Sequence, residues 1–169
     1  MHFIILLSLL LFPVSLNAQE GAKSVPEAFR STPYPIPRFV SLRAKEAFVR
    51  TGPGKKYPVK HVLKKRGLPL EIILEYENWR KIRDVDGDEG WVYQSLISGR
   101  RMALVGGDDD IKLYKKPREN SSINAILKPM VLLRVPECDG AMCYVEVGEY
   151  EGWVKQSAIW GVYASEKFD

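Results

Sequence analysis

Gly90-Trp91-Val92-Tyr93-Gln94-Ser95 is written again, with one exchange, sixty-two residues later as Gly152-Trp153-Val154-Lys155-Gln156-Ser157, and Ile97 and Ile159 keep the next matching place. The chain has only four Trp, so a match of Gly, Trp, Val, Gln, Ser and Ile at a single offset marks a duplication. Glycine ahead of tryptophan admits a tight strand entry, tryptophan anchors a small barrel, and Gln94 and Ser95 stop the strand. Gly90, Trp91, Gly152 and Trp153 are therefore read as a fold signature. A direct binding role for the tryptophans is the other reading.

Outward from the phrase the pattern is strand and turn. Leu70, Ile72, Leu74 and Tyr76 alternate with Glu71, Ile73, Glu75 and Glu77, which predicts one face in and one face mostly out. Asn78 turns the chain, Trp79 to Val85 runs back, and Asp86-Gly87 predicts a two-residue hairpin. The second half follows suit. Val49 to Pro53 answers Leu113 to Pro117, Val62 to Lys64 answers Ile126 to Lys128, and Ile82 answers Val145. The strand after Leu70 answers Val131 to Glu137, and the Asn78 turn answers a turn bracketed by Cys138 and Cys143. The repeat predicts two homologous domains. A unit of about sixty residues buries little surface, so it must close its sheet on itself.

Val49-Arg50-Thr51-Gly52-Pro53-Gly54-Lys55-Lys56-Tyr57-Pro58-Val59, then Trp79-Arg80-Lys81-Ile82, then Gly90-Trp91-Val92, resembles a bacterial SH3 domain. The first string resembles the long first loop of that fold, the next two its last main strands, and Ser95-Leu96-Ile97 its closing 3₁₀ turn. The second copy keeps GWVKQSAI but lacks the Gly-Pro-Gly loop and the first Trp. The resemblance implies an all-β chain of two small SH3-like five-stranded barrels in tandem, over 38–99 and 102–161, with 162–169 as a tail. The overall plan resembles exported tandem SH3-like proteins of Gram-negative bacteria.

Residues 1–18 have the shape of a signal peptide: an apolar run, a break at Pro13 and a closing Ala18. No later segment approaches the ~20 apolar residues of a membrane span. Residues 19–37 hold four prolines without sustained periodicity and are expected to be a disordered arm; a polyproline ligand is the second reading of Pro33, Pro35 and Pro37. Cys138 and Cys143 fit an oxidising compartment and predict a hairpin disulfide. In the chain-entropy model so short a loop is worth about 2 kcal/mol.

Catalysis finds little to stand on. His61 lies in VKHVLKKR with no acid or Cys nearby in sequence, and a disulfide removes both thiols as nucleophiles. Asp84 to Glu89 looks calcium-like, yet its Gly is fourth rather than sixth, and a hairpin explains it better. Asp108-Asp109-Asp110 reads as a solvated loop. Neither a metal nor a cofactor is implied.

The resemblance implies a binding module for cell-wall peptides or protein ligands. Its candidate site is a cleft between the first loop and the hairpin, lined by Tyr57, Tyr76, Trp79 and Tyr93 with Arg50 and Lys55 on the rim, since aromatics offer flat contact area and cations meet carboxylates. Lys55, Lys56, Lys60, Lys64, Lys65 and Arg66 form a basic cluster, either a solvated face or a patch for an anionic partner. Residues 38–101 carry fifteen basic and eight acidic side chains, and residues 102–169 carry eight and eleven. This polarity leaves two options: the domains dock basic against acidic, or the basic one faces an anionic surface. Nucleic acid is set aside, because export opposes it and a net charge of +4 is modest for that role. Peptidoglycan and a protein partner in the envelope or outside the cell both remain.

Overall fold

Turn residues and short apolar runs cut the chain into two sets of strands. The computed structural model describes residues 26–169, so the segment read as a signal peptide lies outside the described residues. The first set is β1 Arg38–Leu42, β2 Ala47–Arg50, β3 Val59–Leu63, β4 Pro69–Tyr76, β5 Trp79–Arg83, β6 Glu89–Tyr93 and β7 Ile97–Ser98. The second is β8 Met102–Val105, β9 Ile111–Tyr114, β10 Ile123–Leu127, β11 Leu132–Asp139, β12 Met142–Val147, β13 Tyr150–Lys155, β14 Ile159–Trp160 and β15 Lys167–Phe168. The pairing order is β3-β2-β6-β5-β4-β1-β7 in one sheet and β10-β9-β13-β12-β11-β8-β14 in the other, with β15 added on β11. The two paths are the same path. Expected five-stranded barrels are thus met by two all-β SH3-like units; the paired arms of the first loop and the two-residue strands β7 and β14 extend each sheet. The repeated Gln-Ser forms a 3₁₀ turn both times, at Gln94–Leu96 and Gln156–Ala158.

Register makes the duplication explicit. Arg50 faces Trp91 and Tyr114 faces Trp153; Ile82 faces Gly90 and Val145 faces Gly152. The cores match position for position: Leu42, Val49, Leu70, Ile72, Ile82 and Val92 in the first, Val105, Leu113, Leu133, Val135, Val145 and Val154 in the second. The tryptophans expected to carry much of the core lie outside its inner clusters, although Trp91 is buried. Val92 and Val154 fill the barrel, and because side chains alternate along a strand, Trp91 and Trp153 stand on the opposite face. The glycine is explained more simply. A Cβ on Gly90 would collide with Val49 Cγ1, and one on Gly152 would sit 2.5 Å from Tyr114 O. At Gly152 the β9 backbone itself leaves no room for a side chain, and at Gly90 the Val49 side chain does so, with Arg50 O 3.0 Å away.

The alternation read along β4 breaks halfway. A β-bulge between Ile72 and Leu74 shifts the pairing with β5, so Leu74 and Tyr76 turn outward and Glu75 turns in. A one-residue slip exchanges every later side chain between faces. The same bulge lies in β11 between Arg134 and Glu137, where Pro136 is tolerated because a bulge can spare a ladder donor. Glu75 is fully buried. Its carboxylate accepts from Ser31 N, from Thr32 Oγ1 and, at 2.5 Å, from Arg38 Nη2, and lies 3.3 Å from the buried Arg80 Nε. Burial alone would raise its pKa, but the hydrogen bonds of Arg38 and Thr32, the Arg38 charge and the Ser31 amide outweigh it, and the group is held below the usual value. The Pro-rich arm is corrected accordingly: its described part, residues 26–37, is tied to the first domain through this carboxylate.

The second domain solves the same position differently. Glu75 pairs with Arg80 across β4 and β5, and Cys138 pairs with Cys143 across β11 and β12. Arg80 faces Val92 and Cys143 faces Val154. The disulfide, with Cα atoms 4.1 Å apart, therefore stands where the first domain has a buried ion pair. The turn it closes is capped by Asp139 Oδ1, which accepts from the amides of Ala141 and Met142.

The expected Asp86-Gly87 hairpin is a longer turn. Gly87 N bonds to Asp84 O and Asp84 N to Asp88 O, with Gly87 at φ +84°, so three residues form the loop and the glycine takes the left-handed bulge position. Nor do the domains dock by charge. The Phe39 ring packs on Trp160 and Tyr163 at 5.1 and 4.7 Å, Gly67 lies against Leu132 and Met102, and Tyr163 Oη donates to Glu71 at 3.0 Å. The contact is thus largely aromatic and apolar, with one hydrogen bond to a carboxylate.

Two outcomes follow. Glu75→Gln leaves Arg38 and Arg80 short of a counter-charge and should cost about 3–5 kcal/mol in urea unfolding. Since the folded carboxyl titrates below its unfolded value, its contribution is complete above about pH 4.5 and fades as pH falls through the lower folded value. The gap between wild type and variant should narrow in acid; a gap independent of pH would remove the charge from the account. Separately, the denatured, unreduced protein should show no free thiol, and the double Cys138→Ser, Cys143→Ser variant should lose about 2 kcal/mol.

Candidate ligand-binding groove

The outer face of β5 and β6 carries what the core does not need. Trp79 faces Tyr93 across the strands, and their rings meet edge to face at 5.5 Å. Phe48 and Arg50 lie on the same side because Val49 between them points into the core. Together with Lys55 and Leu96 they line a groove of about 160 Å³. Phe48 and Tyr93 are both exposed. The arrangement offers flat apolar walls with two cations at one end, suited to an extended chain bearing a carboxylate.

Four of the six predicted residues, Arg50, Lys55, Trp79 and Tyr93, thus come together. Tyr57 does not line the groove. It is the inner support of the first loop: a Cβ on Gly52 would lie 2.5 Å from its ring, and Arg50 Nη1 donates to its carbonyl at 2.8 Å. The Gly-Pro-Gly sequence is what lets the loop fold over this ring. Tyr76 is exposed and pairs with Trp79 across β4 and β5, outside the groove lining. Phe48 and Leu96 were not singled out in the sequence. The signal for Phe48 was there, as an aromatic between two core positions on a short strand.

The six-residue basic cluster is divided. Lys55 lines the groove, and the Lys56 ammonium sits 5.5 Å from the Tyr57 ring. Lys60 pairs with Asp88 at 2.8 Å. Lys64, Lys65 and Arg66 follow β3, and Arg66 turns to a separate cavity at the domain junction. The acids of the Asp84–Glu89 turn are internally engaged: Asp84 Oδ1 accepts from two amides of its own turn, and Glu89 pairs with Lys81 and Arg83. His61 faces Asp84 at 3.8 Å. Among the described residues no group of three His, Cys, Asp or Glu side chains is placed to hold a metal.

The corresponding place in the second domain is a groove of about 210 Å³ lined in part by Lys112, Tyr114, Lys155 and Ala158. These occupy the positions of Phe48, Arg50, Tyr93 and Leu96, and the register partner of Lys155 is Met142 where that of Tyr93 is Trp79. Lys155 is held by Glu119 at 2.7 Å, and that hydrogen bond and charge raise its pKa. Phe48 and Tyr93 give way to lysines and Arg50 to a tyrosine, so the two grooves share a position and differ in chemistry.

Two coiled antiparallel sheets of one topology, each with a long first loop and a 3₁₀ turn before the last strand, define a pair of SH3-like domains. The bacterial SH3 domain profile matches residues 43–99 and 108–161, and the chain belongs to that family. No curated protein matches the chain. Solved structures similar to it include NlpC2 and NlpC1 from Trichomonas vaginalis, at 12% and 11% identity and a TM-score of 0.35 each. The matches cover 75% and 80% of this chain and 49% and 50% of theirs, so the chain spans about half the length of either. A likeness at that level carries nothing about activity. No helix among the described residues is long and apolar enough to cross a membrane.

Burial separates the two tryptophans of the groove face. Trp91 is 7% exposed, whereas Trp79 is only partly buried. Trp91→Ala should cost about 3–5 kcal/mol, as for a core aromatic, and Trp79→Ala under about 1.5 kcal/mol. Equal losses in chemical denaturation would make Trp79 a folding residue.

Proposed function

We propose that this is an exported, non-catalytic binding protein of Gram-negative type, periplasmic or secreted, whose first domain holds cell-wall peptidoglycan peptides in the groove of Phe48, Arg50, Lys55, Trp79, Tyr93 and Leu96. The groove carries the reading. Its aromatic walls suit short or D-configured side chains that offer little to grip, and Arg50 and Lys55 suit stem-peptide carboxylates. The apolar start of the sequence and the Cys138–Cys143 disulfide both support an oxidising, extracytoplasmic setting.

A scaffold role with a protein partner is the second reading. It is favoured by β10, a sheet-edge strand with Ile123 and Ile126 exposed, since such edges accept a further strand.

Co-sedimentation of residues 19–169 with isolated peptidoglycan separates the two. Pelleting that persists in high salt and disappears in folded Trp79→Ala is the expected result. Pelleting only in low salt, abolished by replacing Lys64, Lys65 and Arg66 with Ala, would reduce the interaction to charge. No pelleting would move the search to a protein ligand.

A further inference from the structure

Five arginines meet a carboxylate: Arg38 and Arg80 at Glu75, Arg83 at Glu71 and Glu89, Arg101 at Glu166, Arg134 at Glu146. Of the arginines that take part in no ion pair among the described residues, Arg43, Arg66 and Arg100 line one cavity of about 490 Å³. They come from separate places: the end of β1, the turn between β3 and β4, and the link between the domains. Ser41 and Ser98, whose hydroxyls lie 3.3 Å apart across β1 and β7, add polar groups to its wall. Met102 of β8 is its one contribution from the second domain. The cavity is distinct from the aromatic groove and shares no lining residue with it.

We propose that this junction cavity binds a phosphorylated sugar. Three solvent-exposed guanidiniums with no counter-charge border this one cavity, and an anion held in it would pair with them. The planar donor fork of arginine suits oxyanions, and three forks suit the three terminal oxygens and double charge of a phosphate monoester better than the two oxygens and single charge of a carboxylate. A phosphate alone is far smaller than the space, which falls within the ~300–1,000 Å³ of small-molecule sites. The remainder offers a sugar body the partly exposed Ser98 hydroxyl for a hydrogen bond and Met102 as apolar surface. The ligand would bridge the two domains through the Arg100 link and Met102.

The test is titration of the intact protein with glucose 6-phosphate, inorganic phosphate and glucose at physiological ionic strength, following the amide shifts of Ser98 and Arg100. Glucose 6-phosphate should shift them saturably, inorganic phosphate more weakly, and glucose not at all. Arg66→Gln and Arg100→Gln, each checked by thermal unfolding, should weaken binding about tenfold or more, the loss expected for a charge-assisted hydrogen bond. A Lys64→Ala, Lys65→Ala variant should bind within about twofold of wild type if the cavity, not the general field of the basic domain, is the site. Trp79→Ala should also bind normally, which keeps this result independent of the wall-peptide groove. Absence of a saturable shift, equal affinity for inorganic phosphate, or an equal loss in the lysine variant would overturn the proposal.

Discussion

Everything in either domain follows from one close crossing of backbones. The strand that opens the first loop passes over the glycine of the repeated phrase with no room for a Cβ. That contact puts Val49 beside Val92, and Leu113 beside Val154, in the middle of each core. It also fixes which way the tryptophan points. With glycine and valine committed inward, the residue between them must face out, and the aromatic surface of β5 and β6 is the result. The groove is thus a by-product of how the core is closed, which is why the same position exists in both domains whatever its lining.

The two domains then diverge at a single cross-strand pair. In one it is a carboxylate and a guanidinium, in the other a disulfide. A buried ion pair needs every remaining lone pair satisfied, and Glu75 obtains this by recruiting the chain that precedes β1. A disulfide has no such demand. Its edge is free to pair with β15, while Gln156 donates to the carbonyls of Tyr163 and Glu166 and so holds the tail. Gln94, the same residue of the phrase, accepts instead from Arg80. One sequence motif therefore closes two chemically different ends.

The duplicated phrase, the alternating apolar residues and the turn signals made the fold class, the tandem plan and the disulfide legible from sequence. Faces were legible only as far as the bulge: nothing in LEIILEYE announces that Ile73 is the extra residue, so Glu75 reads as solvated when it is the most enclosed charge in the domain. The repeat held the missing clue, since Glu75 and Arg80 each lie sixty-three residues before a cysteine of the predicted pair. Arg50, Lys55, Trp79 and Tyr93 could be grouped in sequence because aromatic and basic side chains cluster around a recognisable loop. Tyr57 was misplaced because a ring that supports a glycine loop and a ring that lines a cleft look alike in one dimension. The arginine cavity was invisible, its three contributors being far apart in sequence and unremarkable one by one.

The bulge in β4 makes register, rather than composition, the sensitive property of that strand. If the same residues paired straight through, with Ile73 taken into the ladder and no bulge, every amino acid would still be present, yet the second half of the strand would reverse. Leu74 would enter the core, the carboxylate would emerge on the surface, and the segment before β1 would lose the group that holds it. The domain tolerates a proline at the matching place in β11, where the spacing is kept. A strand read in this way behaves like a reading frame: substitutions at the extra position change little, and a shift by one changes the sense of all that follows.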